Sequence, residues 1–495
     1  MSDESEPSSG APAQVAPLPS TPAPSTSPTP PPAPGSAAPA NLLAVVRTPG
    51  YLGILLVAAV IGAPISALAY GFIQLFEHLQ VWLYESLPKT VGYTEVPRWW
   101  PVPLMLVGGV IVGLVIRFLP GQGGHEPVQG LSASPAPPSS LPGALTAALA
   151  TLGFGLVLGP EAPLLALGGG LGTLAAQRFF RHSSPMTPSI LGASGALAAL
   201  GTILGSPLTA AFFLMEAIGL GGELLTLIVL PGLLAAGVGA LVFIGLGTWT
   251  GLGSVGLAIP DLPPFARPTA SDIGWCIVIG LGAALLVWLI RIIAIGLNRF
   301  SHPRPVLLTP VAGLVVAGLV VAYAYASGRP ESTILYSGQS FIGPLVSTAS
   351  TWAVGTLMIL LVFKALAYAV SLSSFRGGPI FPALLLGAVI GVAASHLPGF
   401  ELVPGIAAGM GAMTAAMLRL PVAAVLLPVL LLARDALAAT PVVIVAVVVA
   451  FVITQYLPEP NRVVGRLTGG TDGQGGTDAQ TTNRAPAPTA APSAP

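Results

Sequence analysis

Glu161 is a carboxylate in surroundings that disfavour one. It lies in GLVLGPEAPLLALGGGLG, inside a long and almost uninterrupted apolar stretch. An ionised carboxylate at bilayer depth costs at least ~2.5–3.5 kcal/mol, so it needs a partner, water or a purpose. Gly159, Pro160 and Pro163 crowd it. Such residues break a spanning helix where the broken end lines a cavity rather than facing lipid. The free N–H groups of a helix N-terminus, with a partial charge near +0.5, hold an anion without a full cation. A carboxylate beside such an end competes with a dissolved anion for the same donors. Deprotonated, it fills the position; protonated, it withdraws. The chemistry this predicts is gated ion permeation. The plainer reading of the same residues is a buried glutamate hydrogen-bonded to neighbouring amides.

The elements that must hold Glu161 follow from composition. The chain has 495 residues, of which 53% are hydrophobic and only 7% charged, with 61 Gly and 52 Pro; its mean hydropathy is +0.85. Soluble domains carry about 25% charged residues, so the expected class is an all-α polytopic membrane protein in a lipid bilayer. A formal net charge of zero argues against a nucleic-acid partner. The single cysteine, Cys276, forms no internal disulfide and no structural zinc site. No metal and no cofactor is expected. Residues 1–41 are Pro/Ala/Ser-rich and lack the charged and apolar regions of a signal peptide, and 463–495 are polar and repetitive. Neither end buries enough apolar area to order itself, so both are expected to be disordered around a transmembrane domain at 42–462. Arg47, Arg462 and Arg466 would place both termini on the cytoplasmic side.

Several apolar segments fall short of the ~20 residues a full span needs and end at Gly or Pro. Short, interrupted segments in matching positions of two halves mark transporters built from inverted repeats. Here GALAALGTILGSPLTAAFFLM (195–215) matches GMGAMTAAMLRLPVAAVLLPV (409–429), and PLLALGGGLGTLAA (163–176) matches PALLLGAVIGVAA (382–394), in the same order. The halves are expected at about 42–245 and 270–460. Small residues dominate all four segments, as close helix packing in lipid requires.

These landmarks resemble the CLC family of chloride channels and proton/chloride exchangers, over roughly residues 50–457. PGQGGHEPVQG (120–130) is similar to the family's G-S-G-I-P-E loop, and GPEAP (159–163) to G-[RK]-E-G-P. GSPLTAAFFLMEA (205–217) is similar to the N-A-P-L-A-G…E-E helix, GGPIFPALLLGA (377–388) to G-G-I-F-A-P, and AAGMGAMTAAMLRLPVA (407–423) to A-G-M-G-A…R-x-P-L-T. The resemblance implies chloride or another small anion as substrate, possible proton coupling and a homodimer in the cell membrane. It puts Glu161 at the gate, and an anion site at Gly123, Gly124, His125, Gly159, Pro160, Ala162, Ile380, Phe381 and Tyr456. The expected proton pathway is Glu161 and Glu216.

Departures from the family pattern bear on mechanism. Gly124 replaces the loop serine, and His125 either adds a donor or caps the loop. Pro379 has no N–H; either a donor is lost there, or the pattern has shifted by one so that Ile380 and Phe381 supply the amides. Ala217 stands where exchangers carry the inner proton-transfer glutamate, one residue after Glu216. Tyr456 comes several residues before the place of the family's pore tyrosine and reads more readily as an interfacial anchor than as a pore hydroxyl. Lys364 reads as a snorkelling or vestibule cation, and Asp272 as a solvated loop residue. Two readings compete. One is a secondary transporter of another solute. The other is a rhomboid-like intramembrane serine protease built on GASG (192–195) with His396.

Overall fold

A computed structural model describes residues 45–131, 136–180, 184–219, 222–252, 258–259, 262–433 and 436–467, with backbone only at 222–224. The segment 1–41 expected to be disordered, and the tail beyond 467, lie outside the described residues. The first half runs α1 (Pro49–Val81), α2 (Pro101–Phe118), α3 (Leu141–Gly153), α4 (Glu161–Phe179), α5 (Met186–Leu204), α6 (Pro207–Ile218) and α7 (Gly222–Thr250). The second runs α8 (Ala270–Ser301), α9 (Pro305–Ser327), α10 (Gln339–Ser347), α11 (Val354–Ser374), α12 (Ile380–Ala394), α13 (Leu402–Leu418), α14 (Pro421–Leu432), α15 (Ala436–Tyr456) and α16 (Pro460–Leu467). Among the described residues there is no β-strand, only an isolated bridge between Gly159 and Gly378. Among the described residues, eight helices are long and apolar enough to cross a membrane. Outward-facing Leu52, Leu56, Val60, Leu68 and Leu75 of α1 stay exposed, as lipid contact requires and water would not favour.

The short helices fall where the sequence repeat predicts. In α4 and α5, a Cβ on Gly168 would strike the Gly195 carbonyl, and one on Gly195 would strike the Gly168 carbonyl. In α12 and α13, Gly387 and Gly409 stand in the same reciprocal relation. Gly168 and Gly387 each follow a proline, Pro163 and Pro382, by five residues. Only hydrogen at both positions lets the two backbones touch, which is why small residues dominate these segments. The next helices, α6 and α14, are both 12 residues long and open with proline. Before them, Gly205 (φ 64) and Arg419 (φ 58) end α5 and α13 in the left-handed conformation. The two halves thus share one helix–helix–turn–helix unit.

Two sequence expectations need correction. The helix α16 continues to Leu467, past residue 463 where the tail was expected to begin. Val464 is buried and Arg299 Nη2 donates to the Asn461 carbonyl at 2.9 Å, so this short helix has a packed face. Asp272 is buried rather than a solvated loop residue: it sits in the first turn of α8 and forms a capping box with Thr269, satisfying orphan amides at the helix start.

Candidate functional site

The site forms where two chain breaks meet. The connection from α3 to α4 and the connection from α11 to α12 lie side by side. Gly159 N–H donates to the Gly378 carbonyl at 2.7 Å, and Gly378 N–H to the Gly159 carbonyl at 2.6 Å. Each glycine opens the same five-residue pattern, G-P-x-x-P, at 159–163 and 378–382. Pro160 (φ −85, ψ 0) and Pro379 (φ −91, ψ −3) are the N-caps of α4 and α12. Proline suits that place, because the amide it lacks has no intrahelical partner there anyway. Glu161 and Ile380 are therefore structural counterparts, and the amides that face the carboxylate are those of Ile380 and Phe381, as the shifted reading of the pattern expects. Pro379 supplies no donor, whereas the second helical residue, Phe381, does.

That donor goes to Glu161. Phe381 N–H donates to Glu161 Oε1 at 2.8 Å. The Ile380 amide and the backbone of Glu161 itself also bear on the carboxylate. Glu161 is fully buried, and its Oε2 has no hydrogen-bond partner. A Cβ built on Gly159 or on Gly378 would run into that carboxylate, so the two glycines form a cradle that only hydrogen leaves open. One oxygen is thus held by helix-start amides while the other is left over. A buried oxygen without a partner is costly.

A cavity of about 360 Å³ ends against the first turn of α4. Gly121, Gly123, Gly124 and His125 of the first loop, Ala162 and Pro163 of α4, and Arg376 and Gly377 line it. The structure thus gathers Gly123, Gly124, His125 and Ala162 round one space, next to the group of Glu161, Ile380 and Phe381. Within the loop, Gly124 N–H is already donated to the Gly121 carbonyl at 2.8 Å. A His125 ring nitrogen bonds the Gly130 carbonyl at 2.8 Å, the loop-capping alternative. Enclosure by the loop lowers the His125 pKa, and Arg376 adds to this against the opposing Gly130 carbonyl and Glu126. The imidazole is not a fixed cation near neutral pH.

Five residues take other places than expected. The Gly159 amide is committed to Gly378, and Pro160 has no N–H, so neither donates to an anion; they shape the cradle instead. Tyr456, the last residue of α15, is 83% exposed and lines none of the cavity beside Glu161. Glu216 holds the N-terminus of α14: Oε1 accepts from Val422 N–H at 2.9 Å and Oε2 from Ala423 N–H at 2.8 Å. Both oxygens are thus met by amides, and the side chain caps a helix. Lys364 neither snorkels nor faces a vestibule: it is fully buried, and Nζ donates to the carbonyls of Ile334, Leu335 and Tyr336 at 2.6, 3.2 and 2.9 Å. The protease reading finds no dyad. Ser194 Oγ donates to the Ile190 carbonyl within α5, and His396 Nδ1, just past the end of α12, bonds the Val392 carbonyl.

Two residues were missed. Tyr368, fully buried, donates its hydroxyl to the Pro379 carbonyl at 2.8 Å and so fixes the start of α12. Arg376, 5% exposed, sits two residues before the bridging glycine. Their signals were available: a tyrosine one turn after Lys364 on an apolar helix, and an arginine directly before GGPIFP.

Comparison with known proteins agrees with this geometry. The family model described as Voltage gated chloride channel matches residues 126–455. The chain is similar to the putative ion-transport protein YfeO of Escherichia coli O139:H28 (strain E24377A / ETEC), 28% identical over 349 residues, covering 69% of this chain and 79% of that protein. Among solved structures, a slow cyanobacterial Cl⁻/H⁺ antiporter superposes with a TM-score of 0.66 at 20% identity, covering 84% of this chain and 98% of the other. A CLC-type fluoride/proton antiporter superposes with a TM-score of 0.57 at 19% identity, covering 82% and 96%. With the family model spanning more than half its length, and with two broken helices meeting at a buried glutamate, this chain belongs to the voltage gated chloride channel family.

Proposed function

We propose that this protein carries small inorganic anions, chloride first among them, across the cell membrane, and that Glu161 gates their path. The observation that carries this reading is the 2.8 Å hydrogen bond from Phe381 N–H to Glu161 Oε1, with Oε2 left without a partner. The carboxylate stands where an anion would meet the start of α12. A passing ion needs donors strong enough to replace water and weak enough to release it; helix-start amides without a full cation meet both demands. On protonation the carboxylate loses its charge and its hold on those amides, and an anion takes its place. Ile380, Phe381 and Ala162 are the donors on this reading, and the cavity lined by Gly123, Gly124 and His125 is the approach.

Conduction without tight proton coupling is the finer reading. Ala217 carries no proton, and Glu216 is tied to α14 through both oxygens. Protons then reach Glu161 without a second intramembrane carboxylate. The competing exchanger reading draws on the solved structures this fold resembles, which are named as Cl⁻/H⁺ and fluoride/proton antiporters. Two subunits, each with its own path, and both termini on the cytoplasmic side complete the proposal.

The test is halide flux from liposomes containing the purified chain, with and without a pH gradient. Flux down the halide gradient, with no uphill movement when an opposing proton gradient is imposed, fits the conducting reading. Uphill halide movement supports the exchanger. No halide movement in either condition removes anion transport altogether and leaves a transporter of some other solute.

A further inference from the structure

We propose that the cavity beside the first loop holds a second anion site, built on the Arg376 guanidinium, for which the carboxylate of Glu126 competes from the adjoining cleft. The proposal deepens the anion-transport reading and rests on it. Arg376 is 5% exposed and lines both the 360 Å³ cavity and the adjoining cleft that contains Glu126 and His302. Among the described residues lining the cavity, it is the one fixed charge; the other walls are loop glycines, apolar side chains such as Ala144 and Ala162, and the polar His125 and Ser140.

The guanidinium is loosely held. Nε reaches the Gln122 carbonyl at 3.4 Å, Nη1 the Phe375 carbonyl at 3.3 Å, and Nη2 the Glu126 Oε1 at 3.5 Å. Charge-assisted bonds normally close to about 2.7–2.9 Å, and a guanidinium has five N–H donors. Three long contacts therefore leave much of its capacity unused. Glu126, by contrast, has other partners. Gln129 Nε2 donates to its Oε2 at 2.9 Å, and His302 Nε2 lies 3.3 Å from its Oε1, with the imidazole side chain 60% exposed. Glu126 can leave Arg376 without being stranded, and an arriving anion finds a buried cation whose existing contacts are weak.

The arrangement parallels the one at Glu161. There a carboxylate occupies helix-start amides; here a carboxylate occupies a guanidinium. The cavity joins the two, ending at Ala162 and Pro163 beside Glu161. The ligand is a monovalent inorganic anion of halide size, recognised by one guanidinium in a space whose other walls carry no fixed charge, and Glu126 is its intramolecular competitor.

Titration of the purified full chain with bromide by calorimetry gives the test, because the competitor relation predicts effects of opposite sign. Arg376→Gln weakens bromide binding about tenfold, as loss of a hydrogen bond to a charged group implies. Glu126→Gln tightens it several-fold by vacating the guanidinium. A purely structural ion pair makes both substitutions weaken binding or leave it unchanged, and either result overturns the proposal. Should Arg376→Gln fail to fold, the direction of the Glu126→Gln change decides alone. Anomalous density for bromide beside Arg376 in Glu126→Gln crystals supports the site, and none at saturating bromide overturns it. Flux separates this proposal from the one it rests on. A wild-type chain that binds bromide at Arg376 but moves no halide fails the transport reading alone. Halide transport with identical bromide affinity in all three proteins fails the site alone.

Discussion

Phe381 donates its amide to Glu161 Oε1 at 2.8 Å across 220 positions of sequence, and each residue stands in the first turn of a helix that begins G-P-x-x-P. One copy of the pattern supplies the acid and the other supplies the donor. An internal repeat has thus produced two unlike halves of one site, and the hydrogen bond between them ties α4 to α12 at the point where both helices start.

The cradle is tested by filling it. A methyl group on residue 378 would occupy the space of the Glu161 carboxylate. Gly378→Ala should therefore expel the side chain and remove the pH dependence of flux. In a Glu161→Ala background the same change should add little, because groups in contact are non-additive. Flux measured for both single variants and the double variant checks this; additive effects would place residue 378 outside the site.

Glu216 caps α14 through both oxygens, and the proposed function gives it no part in proton transfer. Glu216→Gln keeps the shape but loses the charge on two amide contacts, and is expected to cost about 1–2 kcal/mol of stability. Thermal unfolding in detergent should fall accordingly, while anion flux per folded protein and its pH profile stay as in the wild type. A lost or shifted pH profile at unchanged stability would return Glu216 to the proton path.

The reciprocal glycine contacts predict equal fragility in the two halves. Gly168→Val and Gly387→Val each drive a side chain into the facing carbonyl, with a cost of about 3 kcal/mol from overpacking. Both should lower the yield of monodisperse protein to a similar degree. Normal yield for either one would mean that the paired helices do not meet through these glycines.

Much of this was legible in the sequence, for physical reasons. A carboxylate among apolar residues and glycines is visible in composition alone, and broken helices announce themselves through Gly and Pro. The repeat was readable because close packing demands small residues at fixed spacing, as at Gly195 and Gly409. Partner choice was not readable. Nothing near Gly159 says that its amide is committed to Gly378, and nothing near Glu216 says that it meets Val422 and Ala423. Such pairs are set by how the halves fold against each other. Tyr456 was chosen by its place along the chain, yet Tyr368, on a different helix, is the tyrosine whose hydroxyl reaches the Pro379 carbonyl. The mirrored G-P-x-x-P pattern was the one sequence signal that could have named both sides of the site at once.

The most direct measurement is halide flux through liposomes across pH 5 to 8 for the wild type and for Glu161→Gln. The account predicts that wild-type flux rises as pH falls, because protonation releases the carboxylate from the Phe381 amide. Glutamine carries no charge at any of these pH values, so the variant should conduct with a flat profile. A variant whose flux still climbs on acidification as the wild type does would contradict the role given to Glu161.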